Sequence, residues 1–283
     1  MAIVERAASA GSDKEPCVPG KSVCLGQVRF ALRKWYLDCV TAGGDAAIVY
    51  SARVGVGPVS LPYFEIMNAP GSLPRPDHRR LSARPKITAA GHDLELDASP
   101  LGVTGQWTSR YPPITISLLD DERGKIVWRC QQPGGRASLR LPNAQILAGF
   151  GYAETLEMTV APWALPFSEL RWGRFVSERR SVVWIDWRGG LDRRWVFAEG
   201  VAVDASVVER DRVAWPGATL EIDPGRVWRH GQLGQTVAGV FSFCVPRRAA
   251  HAVETKWISP AVLRSDRGAA ETGWVIHEVV RWG

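Results

Sequence analysis

The chain of 283 residues is long enough to bury a substantial core in one or two domains. Its 46% hydrophobic and 23% charged content excludes a disordered or fibrous protein. The net charge of +6 comes from scattered Arg and Lys, in short runs such as His78-Arg79-Arg80 and Arg247-Arg248 with no nucleic-acid-binding motif beside them, so nucleic acid is not expected as a partner.

Thirteen tryptophans against three methionines point to rigid aromatic walls, in cores or in cavities. The cysteines Cys17, Cys24, Cys39, Cys130 and Cys244 are odd in number and lack C-x-x-C spacing, which indicates neither a disulfide framework nor a zinc site. Glu5, Asp13, Lys14 and Glu15 mark the N-terminal stretch, without the apolar centre of a secretory signal. No run nears the ~18 apolar residues of a membrane span. A cytoplasmic protein is expected, with peripheral contact with a membrane left open.

Residues 1–20, rich in Ala, Ser, Gly and charge, predict a flexible arm. Long helical patterns are nearly absent after it; short β-branched and aromatic runs recur between turn residues, the pattern of an all-β sandwich or barrel. Residues 35–40, the turn Thr41-Ala42-Gly43-Gly44-Asp45 and residues 46–54 predict a hairpin. Residues 68–91 hold Pro70, Pro74, Pro76 and Pro85, which a central strand excludes; they predict a lid over a barrel mouth or a plain surface loop. A meander follows over 94–96, 102–109, 114–119, 125–131 and 137–141, with turns at Asp120-Asp121-Glu122-Arg123-Gly124 and Gln132-Pro133-Gly134-Gly135.

The second half repeats the rhythm. Strands are predicted over 154–160, 170–177, 181–187, 194–197, 205–209, 218–222, 239–245 and 273–282, with a small helix over 259–263. Two curled antiparallel barrels side by side follow from this count, residues 21–142 forming the first and 143–283 the second. Closure would remove the open edges that invite aggregation.

The densest stretch runs from Gly149 to Phe175 and interleaves Glu154, Glu157, Arg171 and Arg174 with Tyr152, Trp163 and Trp172. Strong polar groups among aromatics fit an apolar pocket with a few fixed polar handles. On a strand, Tyr152, Glu154, Leu156 and Met158 share one face. A desolvated carboxyl there suits a general acid. A buried tie between Glu154 and Arg174 would use the same residues without chemistry, and both readings stand. Asp38 shares a face with Tyr36, and Glu65 with Tyr63; each carboxylate belongs either to a barrel lining or to a turn or rim. Trp184 shares a face with Asp186, in pocket or surface. His277 and Glu278 are adjacent, so only one of them looks inward, and His277 is the candidate.

There is no G-x-S-x-G elbow, Walker loop, H-E-x-x-H or dinucleotide turn, and Gly149-Phe150-Gly151 precedes a strand rather than a helix. Nothing in the sequence requires a metal or a redox cofactor. Side chains alone favour proton-driven chemistry: hydration, isomerisation, cyclisation or hydrolysis.

Trp35-Tyr36-Leu37-Asp38 with its Gly-Gly-Asp turn, Ser60-Leu61-Pro62-Tyr63, Gly151-Tyr152-Ala153-Glu154 and Leu170-Arg171-Trp172-Gly173-Arg174 together resemble the hydroxyneurosporene synthase (carotenoid 1,2-hydratase) family, over about residues 35–66 and 139–190. The resemblance implies two lipocalin-like β-barrels, an architecture shared with tocopherol cyclases and with Diels–Alderases that resemble the family. It places Asp38 on the family's first aspartate, Glu154 on its central aspartate, and Trp172 and Arg174 on its Trp and Arg. Where the carotenoid hydratases carry His-Asn and then Gly after that aspartate, this chain has Thr155, Leu156 and Met158, which removes two groups suited to positioning water.

The expected protein is therefore a cofactor-independent enzyme. Acid catalysis by Glu154 and Asp38 would act on an apolar isoprenoid- or polyene-like small molecule between two barrels. Tyr152, Trp172, Arg174, Trp184, Tyr63 and His277 are the expected substrate contacts. The alternative is a lipocalin-like carrier that binds a hydrophobic small molecule without changing it.

Overall fold

The computed structural model describes residues 29–69, 77–81, 84–232, 251–266 and 268–282. The expected arm over 1–20 and the expected strand over 239–245 lie outside the described residues. Two ten-stranded antiparallel sheets make up the fold. The first holds β1 (Phe30–Val40), β2 (Ala46–Val56), β3 (Val59–Ala69), β4 (Asp77–Leu81), β5 (Lys86–Ala90), β6 (Asp93–Ala98), β7 (Val103–Ser109), β8 (Ile114–Asp121), β9 (Gly124–Arg140) and β10 (Ile146–Met158). Its strand order is β4-β3-β2-β1-β10-β9-β7-β6-β5, with β8 also on β9.

The second sheet holds β11 (Glu169–Ser177), β12 (Ser181–Arg188), β13 (Arg193–Ala198), β14 (Val201–Val203), β15 (Val207–Val208), β16 (Arg212–Trp215), β17 (Ala218–Ile222), β18 (Arg226–Gln232), β19 (Val253–Ser265) and β20 (Glu271–Arg281). Its order is β14-β13-β12-β11-β20-β19-β17-β16-β15, with β18 also on β19. Every strand of the first sheet thus has a counterpart ten strands later. The all-β, two-barrel class is the observed one. Among the described residues, no helix is long and apolar enough to cross a membrane.

Burial follows from what each strand face meets. In β6 the sequence alternates, and Leu94, Leu96 and Ala98 are buried while Asp93, Glu95 and Asp97 are exposed. The inner face of the first sheet encloses a core of Leu37, Val49, Phe64, Leu96, Trp107 and Leu139. The second encloses Phe175, Val182, Trp184, Val196, Leu220 and Leu263. Strands β2 and β12 are apolar on both faces because their outer faces meet another layer. There Tyr36, Ile48, Tyr50, Trp128 and Tyr152 of the first sheet join Trp172, Val183, Ile185, Trp187 and Ile276 of the second in a third cluster. This shared cluster welds the domains, and the candidate site lies within it.

Four local expectations are corrected. The sheets change over between Met158 and Glu169 rather than near Pro142, because β10 pairs with both β1 and β9. Gln132-Pro133-Gly134-Gly135 is no turn: it lies inside β9, where the strand passes from β8 to β7 as its neighbour. Pro133 is tolerated at that switch of partners, where a ladder donor is not needed. Residues 259–263 belong to β19 rather than to a helix, paired with β17 and β20. Strands β4 and β5 occur within the Pro-rich region and end the paired path, the edge position where Pro is admitted.

Gly135 is required by close approach, since a Cβ there would lie 2.0 Å from the Thr108 carbonyl oxygen. Gly135→Ala is expected to cost about 1–3 kcal/mol through forced displacement of β7, read as a lower urea midpoint with unchanged m.

Candidate active site between the two sheets

A cavity of about 320 Å³ opens between the outer faces of the two sheets. Leu32, Val54 and Met158 wall it on one side, and Leu170, Trp187 and Trp282 on the other. The crossover from β10 to β11 closes it with Pro162, Trp163, Leu165 and Phe167. Phe167 stacks on Trp187 at 4.4 Å between ring centroids and meets Trp282 edge-on at 5.3 Å, so this wall is rigid.

Glu154 lines the cavity and is 5% exposed. The strand alternation that buries Ala153 in the first core turns Tyr152 and Glu154 outward, toward the second sheet. The register between β10 and β9 shifts between Gly151 and Glu154, a bulge of the kind that re-aims side chains near sites. Three donors converge on one carboxylate oxygen. Trp128 Nε1 donates to Oε2 at 2.5 Å, the Tyr152 hydroxyl at 2.6 Å and Trp172 Nε1 at 3.1 Å. They come from β9, β10 and β11, so the environment is complete only when the two sheets are packed. Burial above all pushes the Tyr152 phenol well above its usual range and keeps it a donor. All three of these hydrogen bonds fall on Oε2, and the residue lines the cavity.

The far end of the cavity is polar. Lys34 of β1, Tyr50 of β2, Tyr63 of β3, Arg229 of β18, Glu254 of β19 and Glu278 of β20 all line it. Behind them Lys256, 1% exposed, bonds to Glu278 and lies 3.5 Å from Glu254. Its ammonium also sits 5.4 Å from the Trp172 ring centre and 5.8 Å from that of Tyr36. Burial pulls Lys256 down to about 8. Burial raises Glu254, but the charges of Lys256 and Arg229 outweigh it and hold the carboxyl below its usual value. Trp172 thus touches Glu154 through its N–H and Lys256 through its ring, linking the two ends.

No protein-family model and no curated protein matches the chain. Solved structures do. A Nitrosomonas europaea protein assigned as an AttH is 13% identical over 94% of this chain and 98% of its own, with a TM-score of 0.52. Kievitone hydratase from Nectria haematococca is 9% identical over 88% of both chains, with a TM-score of 0.54. CghA, solved with Sch210972, is 10% identical over 89% of both chains, with a TM-score of 0.53. The chain shares their fold. At such low identity the likeness is one of architecture, and it supports the two-barrel fold that the sequence resemblance implies.

Within that fold the expected site residues divide into two groups. Glu154, Trp172 and Tyr63 line the cavity. Tyr152 sits behind Glu154 as its hydrogen-bond donor. Tyr63 bonds to Glu65, which faces Arg229 at 3.7 Å across the sheets. Arg174 does not face Glu154. Its Nε and Nη2 donate to the two Asp38 oxygens at 2.9 and 2.6 Å, and both side chains are 0% exposed. Neither lines the cavity; they tie β1 to β11 across the domain boundary.

Trp184 and His277 also lie away from the cavity, because their strand parity turns them into the second core. Trp184 covers Gly173, where a Cβ would lie 2.2 Å from the indole. His277 stacks on Trp257 at 5.1 Å and contacts the Ser259 hydroxyl at 3.3 Å. Burial, then the charges of Arg210 and Lys256, pull His277 down to about 3. The unfolded chain takes up this proton near its ordinary value of 6.5, the folded chain only near 3. Stability is therefore full above about pH 6.5 and falls as pH drops toward 3, by at most about 1.4 kcal/mol per pH unit from this group. His277→Phe is expected to flatten that part of the slope in urea unfolding between pH 6.5 and pH 4.

Trp128, Lys34, Arg229, Glu254 and Lys256 carry no signal in the sequence that singles them out, and of the adjacent pair it is Glu278 rather than His277 that lines the cavity. Glu254 and Lys256 occupy alternate positions of a β-run, which ordinarily marks a solvated strand face. Their burial depends on the first sheet covering that face.

Proposed function

We propose that the protein is an enzyme that transfers a proton to an apolar small molecule of isoprenoid or polyene type, held between the two sheets, and so hydrates, isomerises or cyclises it. The observation that carries this reading is the divided role of the Glu154 carboxyl. With three donors on Oε2, a proton on this group is left to Oε1, and the residue lines the cavity. When Oε1 gives the proton to a substrate alkene, negative charge is left on the carboxylate, where three donors already point. Such pre-aimed donors stabilise developing charge without reorganisation.

The alkene carbon becomes a cation as the proton bonds to its neighbour. The faces of Trp172 and Trp187, both in the cavity wall, are suited to that charge. The cation is then captured by water, which passes its surplus proton to Glu154; or it loses a different proton to Glu154; or a second double bond of the same chain attacks it, and the ring cation so formed loses a proton to Glu154. These outcomes are hydration, isomerisation and cyclisation, and all need only a proton and a shaped enclosure. Kievitone hydratase, which has this fold, is by name a hydratase, and that supports the class of reaction.

The test is incubation of the purified protein with a panel of acyclic terpenoids and polyenes, followed by liquid chromatography and mass spectrometry. Gain of one water, or an isobaric product with a new retention time, is the expected result. Ligands retained unchanged throughout the panel would favour a carrier instead.

A further inference from the structure

One guanidinium nitrogen at the polar end of the cavity lacks a protein partner. Arg229 Nε faces Glu254 at 3.2 Å and Nη1 faces Glu65 at 3.7 Å, whereas Nη2 is buried with no hydrogen bond among the described residues. The side chain is 8% exposed and lines the cavity. A charged donor buried in this way is costly unless something accepts from it.

The surrounding charges select the kind of acceptor. Among the described residues, the cations of this network are Lys34, Arg229 and Lys256, and the carboxylates are Glu65, Glu254 and Glu278. Glu154 adds a further carboxyl on the same cavity. An anionic ligand would bring another charge to a network without a surplus cation. A neutral oxygen would satisfy the N–H and add no charge.

The geometry points to an apolar substrate that carries a neutral carbonyl, with its oxygen on Arg229 Nη2 and its hydrocarbon body directed along the cavity toward Glu154. This inference rests on the cavity being the substrate site and adds to that reading the chemical class of the head group. The carbonyl fixes which double bond of an otherwise featureless chain lies beside Oε1. A site built around a polar contact discriminates strongly against analogues that lack it.

Matched ligands test this on the intact protein. Geranylacetone, the hydrocarbon in which a methylene replaces its carbonyl, and geranylacetic acid are titrated by calorimetry and tryptophan quenching. The ketone is expected to bind about tenfold or more tighter than either comparator, the low end for a hydrogen bond from a charged donor. Arg229→Lys, which keeps a cation for Glu254 but removes Nη2, is expected to abolish the preference for the ketone over the hydrocarbon. The wild-type series decides the matter even if this variant does not fold. Equal binding of ketone and hydrocarbon overturns the carbonyl assignment while leaving the cavity as an apolar site. Tightest binding of the acid overturns it in favour of an anion site. Failure of all three to bind overturns both the assignment and the reading of the cavity as the substrate site.

Discussion

Glu154→Gln is expected to lower turnover by about 10²–10⁴-fold while the protein stays folded. The amide oxygen still accepts from Trp128, Tyr152 and Trp172, so the hydrogen bonds around position 154 survive. What is lost is the exchangeable proton facing the cavity. Glu154→Leu behaves differently, because it leaves two indoles and a phenol without their acceptor, at about 1–3 kcal/mol for each buried donor. Comparing the two variants by urea unfolding and product formation separates chemistry from architecture. Wild-type turnover in Glu154→Gln would make the carboxylate a structural acceptor and take the proton transfer away from it.

The largest stability effect is expected at the other buried carboxylate. Asp38→Ala leaves Arg174 with the Trp274 carbonyl as its remaining partner, in a place with no access to water. Such an orphaned charge costs about 3–5 kcal/mol. The loss falls between the sheets, so tryptophans of the shared cluster should become exposed together, seen as a red shift of emission at low urea. Replacing both partners, Asp38→Leu with Arg174→Met, is expected to recover most of the stability, since an apolar pair of similar bulk avoids the desolvation of two charges. A cost below about 1 kcal/mol for Asp38→Ala would show that the pair does not hold the domains.

The parts of this molecule that were legible in the sequence are those set by neighbours in the chain. The hairpin of β1 and β2 is marked by Gly44, which takes a φ of +85° in the turn that its sequence announces. The shared face of Tyr152, Glu154 and Leu156 follows from strand alternation alone. Legibility fails where a residue's environment is set by the other domain. Asp38 and Arg174 are 136 positions apart, and no local pattern pairs them. The guess that Arg174 would meet Glu154 had the right chemistry and the wrong partner, because both lie on the interface but on different strand registers.

The Pro133-Gly134-Gly135 run reads as a turn, yet its local chemistry serves a strand that exchanges neighbours and tolerates a backbone at close range. The polar end of the cavity was the least legible feature. Glu254 and Lys256 carry the charges of a solvated surface yet are buried, the Lys256 ammonium lying 5.8 Å from the Tyr36 ring of the first sheet. Trp184 and His277 fail for a related reason: parity placed them on a buried face, but there are two buried faces, and they belong to the core rather than to the cavity.

Turnover in deuterium oxide tests the central claim most directly. If Oε1 of Glu154 delivers the proton that starts the reaction, the product carries one deuterium on carbon that does not wash out, and Glu154→Gln yields no such product. A product formed at the normal rate without carbon-bound deuterium would contradict the account.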